Sequence, residues 1–385
     1  MEYKGIIITG TRGAGKSTIA RRICERDSSF QVVPAVTTRK PREDDIPNHY
    51  VYLDKKKFFE LRESGKLLVW AEYQEDSYGI TNESYESVVK KGKIPILVIA
   101  PQLMKDLADE TFLSIFVDAP DDILDKRLLQ RQGQPNERTQ IQRKEDRQYK
   151  RYCTYVMSNL NLKSTIELVT CLWEHRNTGG ILPERLIRLM IECDMLLENV
   201  KELNNIKSAS YDLSLGDEYY SQGKIKTLTD KAPFIRIDPY DYAIVTSAEN
   251  SNLPNDVAAR FGLSVALFCQ GVILSNGPQV DPGFRGKLFC LLFNTSNSPV
   301  ILKRQQHYAT IEFNKLVEVS SPYRGKYQNK LEIIHYLPSN TLKGAVSELK
   351  EELERVKSES QRLNTTIMGV ISVLLAIIAI LLTLR

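Results

Sequence analysis

The chain has 385 residues, enough for two domains and something more at roughly 150 residues each. With 42% hydrophobic and 26% charged residues it is not a disordered chain. A net charge of +4 gives no basis for general nucleic-acid binding, which needs a strongly basic face. The six cysteines are scattered without a CxxC pair, and the four histidines are widely spaced. Neither a disulfide framework nor a structural zinc site is expected, and a reducing compartment fits best.

MEYKGIIITG has too short an apolar run for a signal peptide. GIIIT reads as a buried strand, and Gly10-Thr11-Arg12-Gly13-Ala14-Gly15-Lys16-Ser17 follows it. TIARRICER then has helical character, so the GxxxxGK[ST] pattern lies between a strand and a helix, as a phosphate-binding loop must. Glycines let backbone N–H groups wrap around phosphates at a helix N-terminus. The expected ATP-binding set is Gly10, Gly13, Ala14, Gly15, Lys16, Ser17 and Thr18. Lys16 would reach the β- and γ-phosphates, and Ser17 would hold Mg²⁺. Downstream, Arg39 and Arg42 offer bidentate contacts, and Tyr50 and Tyr78 offer hydroxyl donors, for a second phosphate group.

The P-loop, TTRKPR, HYVY and the WAEY…SYG segment resemble guanylate kinases over residues 4–175. The resemblance implies an α/β P-loop kinase fold, a parallel sheet with a lid, using ATP and Mg²⁺. It assigns Arg39, Arg42, Tyr50 and Tyr78 to the phosphate of the acceptor monophosphate. Residues 121–152 supply Arg127, Arg131, Arg138, Arg143 and Arg147 as lid arginines. Arg131 and Arg143 are the expected catalytic pair, with Lys16 and Arg39. Positions where the family reads guanine or binds the metal carry Ala35, Val69, Val98 and Ala100 here. Each lost hydrogen bond weakens recognition by about 1 kcal/mol. The acceptor base is therefore left open.

Residues 179–192 begin a second unit with a short helix, after which strand-length segments alternate with Asn, Pro and Gly turns. That spacing predicts an all-β sandwich or barrel. SYDLSLG, LPNDVAARF and VDPGFRGKLFCLLFN resemble the dCTP deaminase and trimeric dUTPase superfamily. The resemblance implies trimers with nucleotide sites between subunits, and a second-domain site at Asp212, Ser264 and Asp281. The deaminases' catalytic glutamate falls on Leu291, and their paired arginines are absent from Leu263 to Phe268. Leucine cannot shuttle a proton, so a binding or trimerising role is expected.

Residues 342–367 carry Leu342, Val346, Leu349, Leu353, Val356, Leu363 and Ile367 at heptad spacing, a coiled-coil stalk in prospect. From Ile367 to Leu384 no residue is charged, and about 27 Å of helix would cross a bilayer. The expected organisation is 1–178 kinase-like, 179–337 β domain, 338–366 coiled coil and 367–385 transmembrane helix. The expected location is a single-pass C-terminal anchor with the preceding domains in the cytoplasm. Three functions compete: a membrane-anchored, trimeric nucleoside monophosphate kinase; a membrane-tethered nucleotide sensor or effector without turnover; and an active dCTP deaminase or dUTP diphosphatase.

Overall fold

The structure is a computed structural model describing residues 3–41, 45, 47, 49–73, 75–107, 111–132, 137–275, 279–337 and 345–383. The first sheet is parallel and has the order β2 (Phe30–Val32), β7 (Ile94–Val98), β1 (Ile6–Gly10), β8 (Leu113–Asp118), β9 (Tyr155–Ser158). Every residue of β1 and β8 is buried, as expected of central strands covered on both faces. The C-terminal ends of β1, β7 and β8 therefore meet at one edge, where α/β sheets place their ligands. A smaller sheet, β4 (Tyr50–Tyr52), β3 (Ala35–Thr37), β6 (Asp76–Thr81), β5 (Leu67–Tyr73), lies beside that edge. Its register sets Ala35 opposite Tyr50 and Thr37 opposite Tyr78.

The second half is mainly an antiparallel assembly of ten strands that curls into a half-barrel. Its long members are Tyr211–Ser221, Tyr242–Asn252, Arg285–Asn294 and His307–Lys315. Strand Arg285–Asn294 alternates strictly between buried and half-buried residues. Leu288, Cys290 and Leu292 thus enter the core, while Phe289 and Leu291 face the other way.

The expected boundary at 178 falls on a short connection, but the two cores are not separate. Helix Leu162–Glu174, N-capped by the Asn161 side chain, packs on helix Glu184–Glu192. One apolar cluster runs from Ile8 through Trp173 and Leu186 to Phe313. Gly180 already pairs with Lys315 at the edge of the β sheet. Buried polar groups also cross the junction. Tyr155 Oη donates to Asp256, whose carboxylate lies 3.5 Å from Lys315 Nζ, and Ser158 N donates to the Cys193 carbonyl.

Stalk and apolar tail form a single helix, Ala345–Thr383, about 58 Å long at 1.5 Å per residue. Leu349, Leu353, Val356, Leu363 and Ile367 are all exposed along it. Among the described residues it is the helix long and apolar enough to cross a bilayer, with its candidate window at Glu352–Ile377. Leu342 and residues 384–385 lie outside the described residues, as does the Val346 side chain.

Candidate nucleotide sites in the two domains

The loop after β1 is shaped by glycine. A Cβ on Gly10 would sit 1.9 Å from the Val117 carbonyl oxygen, so β1 approaches β8 too closely for any side chain. Gly15 has φ 94° and caps helix Lys16–Arg26 without a side-chain hydrogen bond. The first-turn amides at Lys16, Ser17 and Thr18 therefore lack an intrahelical acceptor and form an anion site. Ile19, Ala20 and Ile23 bury the opposite helix face and hold the loop against the sheet.

Lys16 Nζ folds across the loop and donates to the carbonyls of Gly10 (2.8 Å) and Thr11 (2.9 Å). Burial brings its ammonium pKa down to about 8, against the opposing pull of Asp146. The same burial pushes the Asp146 carboxyl up. Asp118, at the end of β8, accepts from Thr11 Oγ1 (2.7 Å) and is ion-paired with Arg147 (2.9 Å) and Lys150 (2.8 Å). Burial would raise its pKa, but Arg147, Lys150 and Thr11 outweigh it and hold the carboxyl at about 2. Asp118 is thus a brace behind the loop, with its oxygens already engaged.

A cavity of about 230 Å³ opens in front of the loop. Gly10, Gly13, Lys16 and Ser17 line one side, and Ala35, Tyr50 and Tyr78 the other, with Val98, Ala100 and Asp146 between them. The substituted positions Ala35, Val98 and Ala100 make an apolar wall with Ile80, Ile99 and Leu103. Val69 instead is buried in the core of this lobe. A nucleoside phosphate fits this arrangement of uncapped amides, one ammonium and phenolic hydroxyls. For Mg²⁺ the described lining offers Ser17 and one carboxylate, Asp146.

The remaining expected residues are placed less simply. Arg39 is buried outside the cavity lining, ion-paired with Asp45 through Nη1 (2.7 Å), its guanidinium 4.6 Å from the Tyr50 ring centre. Arg143 is 1% exposed, lies 2.7 Å from Asp125 and does not line the cavity. Arg127 donates to the Asn159 carbonyl. Arg42 and the side chains of Arg131 and Arg138 lie outside the described residues. Ala14 and Thr18 support the loop without lining the cavity, Ala14 being fully buried. Sequence reasoning missed Asp146 and Asp45, and it offers Asp118 only as a possible metal acid. Asp146 sits in a dense run of charges, where nothing distinguishes a buried carboxylate from a solvated one.

In the β domain a second cavity, about 410 Å³, is lined by Phe289, Leu291, Tyr323, Tyr327, Tyr336 and Asp281 among others. Tyr327 stacks on Tyr336 at 5.0 Å and 19°, and Phe289 lies 4.3 Å from the same ring. Burial pushes the Tyr336 hydroxyl up to about 12. Asp281 reaches this cavity, but Asp212 and Ser264 do not. Asp212 is held by Lys207 (3.3 Å), His307 (3.2 Å) and Thr310 (3.1 Å), and Ser264 is a buried residue ahead of helix Val265–Cys269. Within one chain the three do not form a single site.

Comparison with known proteins agrees with this division. The guanylate kinase family model matches residues 2–175, and the dCTP deaminase-like model matches residues 181–316. The dCTP deaminase of Thermococcus gammatolerans is 35% identical over 144 residues, 37% of this chain and 90% of that protein. The dCTP deaminase of Thermococcus kodakarensis is 38% identical over 139 residues, 36% of this chain and 88% of that protein. The guanylate kinase of Agrobacterium fabrum is 34% identical over 119 residues, 30% of this chain and 54% of that protein. The fold and its two cavities define a protein with two nucleotide-type domains. The chain belongs to the dCTP deaminase-like family through its β domain, and a guanylate kinase-type domain precedes it.

Proposed function

We propose that the N-terminal domain is an ATP- and Mg²⁺-dependent nucleoside monophosphate kinase-like phosphotransferase. The observation carrying this reading is the cavity that faces Lys16 and Ser17 with Tyr50 and Tyr78. Lys16 and the first-turn amides would grip the transferred phosphoryl group. Arg39, Arg42, Tyr50 and Tyr78 would align the acceptor phosphate. Arg131 and Arg143 would neutralise charge in a closed state, Arg143 leaving Asp125 as helix Glu137–Arg147 moves inward. Mg²⁺, held by Ser17, supplies charge neutralisation on the phosphates when bound. The dCTP deaminase-like domain would bind a nucleotide such as dCTP without deaminating it and would hold the chain as a trimer. The C-terminal helix would continue that symmetry as a coiled coil and anchor the protein, its domains in the cytoplasm.

The test is to incubate the full-length chain, purified in detergent, with ATP, Mg²⁺ and each nucleoside monophosphate. At least one acceptor should be phosphorylated above a Lys16→Ala control, and a blank panel would end this reading. The apolar wall at Val98 and Ala100 favours a second reading, a membrane-tethered nucleotide sensor without turnover. It expects nucleotide-dependent melting shifts with no product. Leu291 on the β-domain cavity weighs against active deamination or dUTP hydrolysis.

A further inference from the structure

A third cavity, about 510 Å³, lies between the two domains and shares only Tyr323 with the β-domain cavity. Its kinase-side wall carries Arg147, Lys150 and Arg151, and its β-side wall carries Arg285 and Arg324. No Asp or Glu lines it among the described residues. The acids that balance Arg147 and Lys150, Asp118 and Asp121, stand behind them at the end of β8. Across the gap no ion pair or side-chain hydrogen bond engages the Arg285 guanidinium among the described residues, and Arg324 is exposed. Arg285 bonds only through its backbone, N to Gln328 Oε1 at 2.9 Å. Glu198 is the charge that acts on it from a distance, and burial lowers its pKa.

Asp118 and Asp121 balance Arg147 and Lys150, and Arg151 and Arg324 are exposed, so the excess positive charge on the cleft lining favours an anion between the walls. The walls are held in place. Val156 follows Tyr155, and Asn255 precedes Asp256, so the buried Tyr155–Asp256–Lys315 link pins the two rims at the base of the cavity. The neutral lining fits a larger ligand than a single phosphate. Asn255 and Gln148 bring amide groups, and Tyr323 brings a ring. Charges spread over two walls match a chain of phosphates better than one compact ion.

We propose that this interdomain cleft is a separate binding site for a polyphosphate chain, as carried by a nucleoside di- or triphosphate. Arg285 and Arg324 contact the phosphates from the β domain, and Lys150 and Arg151 from the kinase domain. The site exists only because the two domains are fused.

Binding is measured by calorimetry on the full-length chain carrying Lys16→Ala, which removes the P-loop ammonium, and the dependence on Arg285 and Arg324 separates the cleft from the P-loop amides and from the β-domain cavity. The probes are dCTP, ATP and inorganic tripolyphosphate. Saturable binding is expected, weakened at least tenfold by Arg285→Glu with Arg324→Glu and retained within about threefold by Arg285→Lys with Arg324→Lys. Equal affinity for the three probes assigns recognition to the phosphates, and a preference for either nucleotide adds a base contact. If the glutamate pair unfolds the protein, the lysine pair and single Arg324→Glu carry the comparison. Absence of binding in the Lys16→Ala chain, or binding indifferent to Arg285 and Arg324, overturns the proposal.

Discussion

The P-loop cavity and the aromatic cavity of the β domain offer a ligand opposite chemistries. The first presents backbone amides, one ammonium and a carboxylate brace behind the loop. The second presents stacked rings with one acid, Asp281, and one cation, Lys287. Charge acts at a distance, whereas stacking is short-ranged. The two domains should therefore answer differently to substitution, although one core holds them together.

The largest effect is expected where the regions join. Asp256→Ala leaves Lys315 buried without its partner and removes the acceptor for Tyr155. A cost of about 3 to 5 kcal/mol follows. Calorimetry should then resolve two melting transitions where the wild type gives one. A single unbroken transition at the wild-type temperature would show that the junction carries no such weight.

Next comes the brace. The Asp118 carboxyl is held at about 2 against an ordinary value of 3.8, which contributes about 2 kcal/mol. Because the folded value is the lower one, this stability is present above roughly pH 4 and is lost as pH falls through 2. Asp118→Asn should remove it at neutral pH and flatten the acid limb of the stability profile. An unchanged acid limb would count against the brace.

The P-loop and aromatic sites can be separated by substitution, and the P-loop tested by titration. Lys16 carries a pKa of about 8 before ligand binds, and a bound triphosphate favours its charged form. ATP binding must then take up a proton above that pH. Its affinity should be about tenfold weaker at pH 9 than at pH 7. The β-domain cavity carries its own cation, Lys287, whose pKa burial also lowers, so the contrast there rests on the stacked rings. Tyr336→Ala removes a stacking surface and should weaken dCTP there by about 1 to 3 kcal/mol, leaving ATP at the P-loop unaffected. An ATP affinity that stays flat between pH 7 and 9 would count against Lys16, and loss of ATP binding in the Tyr336 variant would erase the contrast.

Local rules carry far in this chain. The strand–loop–helix P-loop is legible because its glycines answer to backbone geometry, as Gly10 against Val117 shows. The alternation in Arg285–Asn294 is legible because side chains on a strand take opposite faces. The long helix follows from its periodic apolar residues. Arg39 and Arg143 were visible as cations, but their partners Asp45 and Asp125 were not. A charge pattern does not say which acid lies within reach.

The amino-acid sequence by itself determined the two fold types, the phosphate loop and the apolar tail, since each rests on contacts or periodicities within a short stretch. Only the tertiary structure decided that Asp146 lines the P-loop cavity while Asp118 is engaged by Thr11, Arg147 and Lys150. It also decided that one core joins the domains and that five cations from distant segments share a cleft. Those facts depend on separations across the fold, and electrostatic and packing energies depend on distance in space, not on distance along the chain.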